Sequence, residues 1–242
     1  TEPFAGATGV THPLLAEAAT QFQAQAFNEL LPASGPVRTH VLGEVTKDKD
    51  QQSQRVKQFM NYYITNVMEE YTPELDQMLF YLPLAGSTFK KVYYDSGLDR
   101  AVSKFVSAEN LVVPYEANDL ETCPNITHVV RMSLNDLRKK QISGFYRDIE
   151  VLPSQAESNG VVEEIDKIDG VSASNVDYDC TLLECHVDLD LEGFEDTNPQ
   201  TGEATEIKLP YIVTIEEGSR EVLSIRRNYE ATDPKKNKIN YF

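Results

Sequence analysis

The residues best equipped for chemistry in this 242-residue chain are four histidines, three cysteines and a dense set of carboxylates. None of them falls into the spacing that a reaction needs. His12, His40, His128 and His186 form no HExxH pattern and no pair four residues apart, so nothing reads as a zinc centre on a helix. Cys185 and His186 adjoin, but neighbours in a strand point to opposite faces and cannot act as nucleophile and base. There is no GxSxG elbow for a serine nucleophile. Cys123, Cys180 and Cys185 contain no CxxC pair and are too few for a disulfide framework; they read as free thiols among apolar neighbours.

Two fragments imitate ligand loops. Asp188-Leu189-Asp190-Leu191-Glu192-Gly193 has carboxylates at positions 1, 3 and 5 of a calcium loop and glycine at 6. Position 12, however, is Pro199 rather than a bidentate glutamate, and alternating Asp and Leu is what a half-exposed strand produces. Ala85-Gly86-Ser87-Thr88-Phe89-Lys90 has one glycine and follows a helix, the reverse of a strand-loop-helix phosphate cradle. The expectation is a protein that is not an enzyme, with no catalytic residue, no cofactor and no metal ligand.

The net charge of −17 is concentrated in one place. From Asp148 to Glu206 there are 17 acidic residues and one basic residue, Lys167, whereas the rest of the chain carries 22 acids and 21 bases. Such a surface repels phosphates, so sequence-specific DNA binding is disfavoured. The 12 tyrosines and 10 phenylalanines lack interleaved Arg and Lys, which points to core packing and subunit contacts rather than base stacking. No apolar run reaches the ~20 residues that span a bilayer, and the start lacks a signal-peptide pattern, so no membrane partner is expected.

The elements follow from periodicity. Thr11 caps a helix starting near Pro13, with Leu15, Ala19, Phe22, Ala26 and Leu30 on one face and Pro32 and Gly35-Pro36 as the stop. A second helix runs from about Lys49 to Met68, with a stripe of Val56, Phe59, Met60, Tyr63, Ile64 and Val67. Thr72-Pro73 opens a third, lined by Leu75, Met78, Leu79 and Leu82. These three helices are expected to bury one another. Thr88 to Asp95 and Ala101 to Val106 predict a hairpin; Leu111-Val112-Val113 and Ile126 to Met132 predict further strands. Ser133-Leu134-Asn135-Asp136 is a capping box for a short helix that closes near Ser143-Gly144, where Arg138, Lys139 and Lys140 suit its C-terminal end.

Residues 153–160 read as a polar linker and Val161 to Ile168 as a short helix. Alternation then resumes at Leu183 to Leu191, Ile207 to Ile215 and Glu221 to Tyr229, predicting an antiparallel meander with one buried face. The fold class is therefore α+β: a helical bundle packed with β-hairpins over residues 1–152, a linker at 153–160, and an acidic antiparallel β region over 161–242.

Certain stretches are more specific than these patterns. They are Thr11-His12-Pro13-Leu14-Leu15-Ala16-Glu17-Ala18, Phe59-Met60-Asn61-Tyr62, Glu74-Leu75-Asp76-Gln77-Met78-Leu79-Phe80-Tyr81-Leu82-Pro83-Leu84-Ala85-Gly86-Ser87, Asp119-Leu120-Glu121-Thr122, Thr127-His128-Val129-Val130-Arg131-Met132 and Ser143-Gly144-Phe145-Tyr146-Arg147-Asp148. Together, over residues 5–150, they resemble the portal proteins of short-tailed bacteriophages of the P22 type; the acidic β region is similar only in position and pattern. The resemblance implies a homo-oligomeric, dodecameric ring at one capsid vertex of the virion, made in the bacterial host cytoplasm. Double-stranded DNA would pass through it during packaging and ejection without sequence-specific binding. The ring would contact capsid proteins, the terminase motor and then tail adaptors. The motor's ATPase would belong to terminase, in keeping with the missing phosphate loop. Another virion interaction module, such as a tail adaptor or receptor-binding protein, is the second reading; a metal-dependent hydrolase using the acidic cluster is the third. The chain starts without Met and finishes on Ile239-Asn240-Tyr241-Phe242, which reads as the opening of a strand. The expectation is thus a wing fragment, with stem, clip and channel loop beyond Phe242.

Overall fold

The computed structural model describes residues 4, 6, 13–151, 180–197, 201 and 203–242. Thr11, His12, the 153–160 linker, the 161–168 helix and Pro199 lie outside the described residues. The class is α+β, with four α-helices and seven strands among the described residues. They divide into two compact units, residues 1–108 with 241–242, and residues 109–240.

The first unit begins with α1 (Leu14–Leu30), α2 (Lys47–Tyr62) and α3 (Tyr71–Ala85). Thr46 caps α2 by accepting from the Lys49 amide, with Asp48 and Asp50 favouring the positive end of the helix dipole. The helix passes into a π-helical turn, Tyr63–Val67, in which the Met68 amide reaches back to the Tyr63 carbonyl. Gly86, at φ +79°, ends α3 in the left-handed conformation that glycine adopts without penalty. α1 and α3 pack together, with Ala19, Leu75 and Leu79 buried and the Gln23 amide donating to Asp76 Oδ1 at 2.8 Å. The second helix departs from expectation, because α2 has no buried side chain. The first half of that helix offers no apolar residue before Val56, and its tertiary ties are polar. Asn61 accepts from the Val37 amide at 2.8 Å and donates to the Val37 carbonyl at 3.2 Å, and the Ser53 hydroxyl donates to Thr39 at 2.8 Å.

β1 (Thr88–Asp95) and β2 (Arg100–Ser107) form the expected hairpin, in unbroken register from Thr88 opposite Ser107 to Asp95 opposite Arg100. Asp95 Oδ1 holds the loop by accepting from the Gly97 amide at 2.8 Å. α3 packs on β2, and the outward amides of that strand are met by side chains. Ala101 N–H donates to the Tyr63 hydroxyl at 2.9 Å, Ser103 N–H to Glu70 at 3.2 Å and Phe105 N–H to Glu74 at 2.7 Å.

The second unit is a five-stranded antiparallel sheet in the order β3-β4-β5-β6-β7, formed by Leu111–Val112, Ile126–Met132, Cys180–Leu189, Leu209–Glu216 and Val222–Arg227. α4 (Leu134–Ile142) follows β4, with Ser133 Oγ accepting from the Asp136 amide at 3.1 Å as the capping box requires. Strand β4 pairs with β5 from Ile126 opposite His186 to Met132 opposite Cys180. The compact units separate at 108/109, whereas the sequence reading divides the chain at 152: pairing between residues 48 to 60 apart carries no local sequence signal.

Both faces of this sheet hold buried residues, where alternation alone predicts one. One face gathers Leu209, Tyr211 and Val213 with Val187 and Leu189. On the other, Met132, Cys180, Leu182 and Leu223 pack with Leu137 of α4 and Tyr146. The second face is covered because Gly144, at φ +75°, turns the chain out of α4 and back along β7, where the Arg147 amide donates to the Leu223 carbonyl at 2.9 Å.

Candidate functional site

Among the described residues, His186, the three cysteines and Lys90 sit in the following settings. His186 is buried, and its ring nitrogen lies 2.9 Å from Glu184 Oε1, two residues away on the same strand face. Cys185 lies on the opposite face, where its sulfur accepts from the Thr127 hydroxyl at 3.6 Å. The cysteines are free; Cys123 and Cys180 are buried and donate to the Asn125 and Met132 carbonyls. Asp188 belongs to β5 and is exposed with Asp190, and no group of three His, Cys, Asp or Glu side chains among the described residues is placed to hold a metal ion. Ala85–Lys90 forms a helix end, a turn and a strand start, and Lys90 Nζ lies 3.8 Å from the centroid of the Tyr71 ring. Burial pushes the Lys90 ammonium below its usual range, against the opposing pull of Glu74.

The second unit holds a cleft of about 360 Å³ lined in part by Asp188, Asp196, Lys208, Lys236 and Lys238. Two of its cations are already engaged. Lys236 forms an ion pair with Asp196, and Lys238 donates to the Leu120 and Cys123 carbonyls at 3.3 and 2.7 Å. Those contacts tie Lys236 and Lys238 to the segments around Asp196 and Leu120–Cys123.

The surface of the first unit is more telling. On α2, Val56 is 48 % exposed, Phe59 61 % and Met60 37 %, a contiguous run at helical spacing. α1 leaves Leu14, Leu15, Phe22 and Leu30 exposed, and Leu42 and Val45 are exposed just before α2. Exposed apolar side chains are ordinary when scattered; adjacent ones at helical spacing form a patch of the kind that meets another surface. In the second unit, Asp188, Asp190, Glu192, Glu195, Glu203 and Glu206 are exposed, giving that unit a strongly negative stretch.

The residues that sequence reasoning missed are the side chains that close the β2 edge. Glu70 and Glu74 stand four apart at the start of α3, a spacing that puts two carboxylates on one helix face. The side chain of Glu70 also pairs with Arg100 at 2.6 Å. Burial raises the Glu70 carboxyl, but hydrogen bonds from its own amide, from Arg100 and from the Ser103 amide outweigh that and hold it below the usual range. No helix among the described residues is long and apolar enough to cross a membrane. No protein-family model matches the chain, and no curated protein matches it.

Proposed function

We propose that this chain is a structural, non-catalytic part of a bacteriophage portal subunit, assembling into the ring through which viral DNA enters and leaves the capsid. The observation that carries the reading is the uncovered apolar face of α2, built by Val56, Phe59 and Met60 on a helix with no buried residue. A subunit whose work is to pack against its neighbours needs such a face, and a monomeric enzyme does not. The stretches Phe59–Tyr62, Glu74–Ser87 and Thr127–Met132, similar to portal proteins of short-tailed phages, supply the family.

The acidic stretch fits the same role. Each phosphate contact in a conduit adds salt-sensitive affinity that retards sliding, so a passive channel is served by a surface that repels its cargo. Capsid proteins, the terminase motor and tail adaptors are the proposed partners, and the virion vertex the proposed location. The test is to purify the polypeptide encoded by the whole reading frame to which these residues belong and to examine it by electron microscopy. Closed rings of one copy number are the expected result. Particles that remain monomeric at the concentrations where virion proteins assemble would overturn the reading.

A further inference from the structure

The tertiary structure of the second unit builds a basic and aromatic cluster from residues that lie far apart in the sequence. Arg226 of β7 lies on the Phe145 ring, its Cζ 3.5 Å from the centroid, and its guanidinium donates to the Phe145 carbonyl at 2.7 Å. Lys140 Nζ stands 5.2 Å from the same ring, and the guanidinium of Arg147 donates to the Val222 carbonyl at 3.3 Å. Residues 134–148 hold four cations and two carboxylates, and both carboxylates are engaged inside that segment, Asp136 with Lys139 and Asp148 with Arg138. Arg147 and Arg226 are exposed and pair with no carboxylate among the described residues. Each is anchored by an N–H group on a backbone carbonyl, and stacking fixes Arg226 further. Their other donors are thus pre-organised for an anion.

The same unit carries a complementary surface. Asp190, Glu192 and Glu195 are exposed just past β5 and pair with no cation among the described residues. The Phe194 amide donates to the Leu191 carbonyl at 2.9 Å and Glu195 accepts from the Gly193 amide at 2.9 Å, which folds this acidic segment into a tight turn. Phe194, between the two glutamates, is 58 % exposed.

We propose that Arg147 and Arg226 of one subunit receive the Asp190–Glu195 turn of the next, with carboxylates on the guanidiniums and Phe194 against the Arg226–Phe145 stack. The two surfaces differ, so the contact is head-to-tail and leaves one of each open until a ring closes. It rests on the ring reading and deepens it by naming what gives the subunits their direction. A second copy fits the arginines better than nucleic acid does. Two arginines are too few to follow a phosphate chain, and a net charge of −17 repels a polyanion beyond them. An exposed phenylalanine flanked by carboxylates is, in turn, what a stacked arginine recognises.

The test uses the polypeptide of the whole reading frame and follows assembly by sedimentation velocity and electron microscopy. One variant carries Arg147→Glu and Arg226→Glu, the other Asp190→Arg and Glu192→Arg. Each alone should need at least ~10-fold higher concentration to assemble, and an equimolar mixture should recover assembly, since each offers the charge that the other lacks. Variants that merely misfold would not rescue one another. The unmodified protein gives a reading without any substitution: its association should weaken as NaCl rises from about 0.05 to about 0.5 M. Rings indifferent to both substitutions and salt, or a mixture that recovers nothing, overturn this contact and leave the ring reading standing. A parent chain that never associates overturns both. Arginine variants that lose retention on double-stranded DNA while assembling normally assign the cluster to nucleic acid and overturn the contact as well.

Discussion

Glu70 shows how one side chain joins several levels of the first unit. It sits at the start of α3, pairs with Arg100 and accepts from the Ser103 amide, so a carboxylate on a helix end fixes a strand edge. Because its folded pKa lies below the ordinary 4.5, its contribution is fully present above that value and is lost as pH falls through the folded one. Glu70→Gln should cost about 1.5–3 kcal/mol at neutral pH, the range for hydrogen bonds to charged groups, and should flatten the acid limb of stability below pH 4.5. Urea denaturation of both proteins across that window checks the sign as well as the size. Glu216 does a similar service in the second unit: it is fully buried at the end of β6, where its carboxylate accepts from the Gly218 and Ser219 amides. Glu216→Ala strands those donors at the β6–β7 turn and should cost on the order of 2 kcal/mol in the same measurement.

Among the elements, α2 stands out because its ties to the rest of the unit are polar. Gly35, at φ +89°, passes so close to the helix that a Cβ there would lie 2.4 Å from Asn61 Cγ, and Asn61 is the residue that holds Val37 at both backbone groups. Gly35→Ala therefore meets two penalties, a left-handed backbone worth about 1–2 kcal/mol and the displacement of Asn61. Asn61→Ala removes the same junction from the other side. Thermal melts should show the double variant losing less than the sum of the single variants, since both act on one contact. Additive losses would mean that the segment docks on α2 through something else. The helix periodicity is plain in the sequence; that Val56, Phe59 and Met60 of its stripe are exposed while Tyr63, Ile64 and Val67 are half-buried is not, because a stripe records that a face wants cover without recording what provides it.

For the whole molecule, the charge map makes the clearest demand. Replacing Asp188, Asp190 and Glu192 with their amides removes three exposed carboxylates from the acidic stretch. If that stretch faces DNA, retention on immobilised double-stranded DNA should rise, and the salt needed for elution should rise with it. Retention equal to that of the parent chain would place the stretch away from the polymer. The proposed ring is tested at this scale too, because ring closure cannot be read from any one side chain.

Local chemistry by itself determined the α+β class, the β1–β2 hairpin and the Ser133 capping box, because turn residues, caps and short-period alternation act over a few neighbours. The mismatch of the calcium and phosphate imitations with their patterns is likewise read from spacing alone. Tertiary structure decided what depends on distant partners. β4 joins β5 in one sheet; α4 and residues 145–151 cover a face that alternation left open; Tyr63, Glu70 and Glu74 seal one edge of a hairpin while Tyr241 takes the other. A backbone amide carries no residue identity, so the group that will satisfy it is known only once the chain has brought that group within about 3 Å.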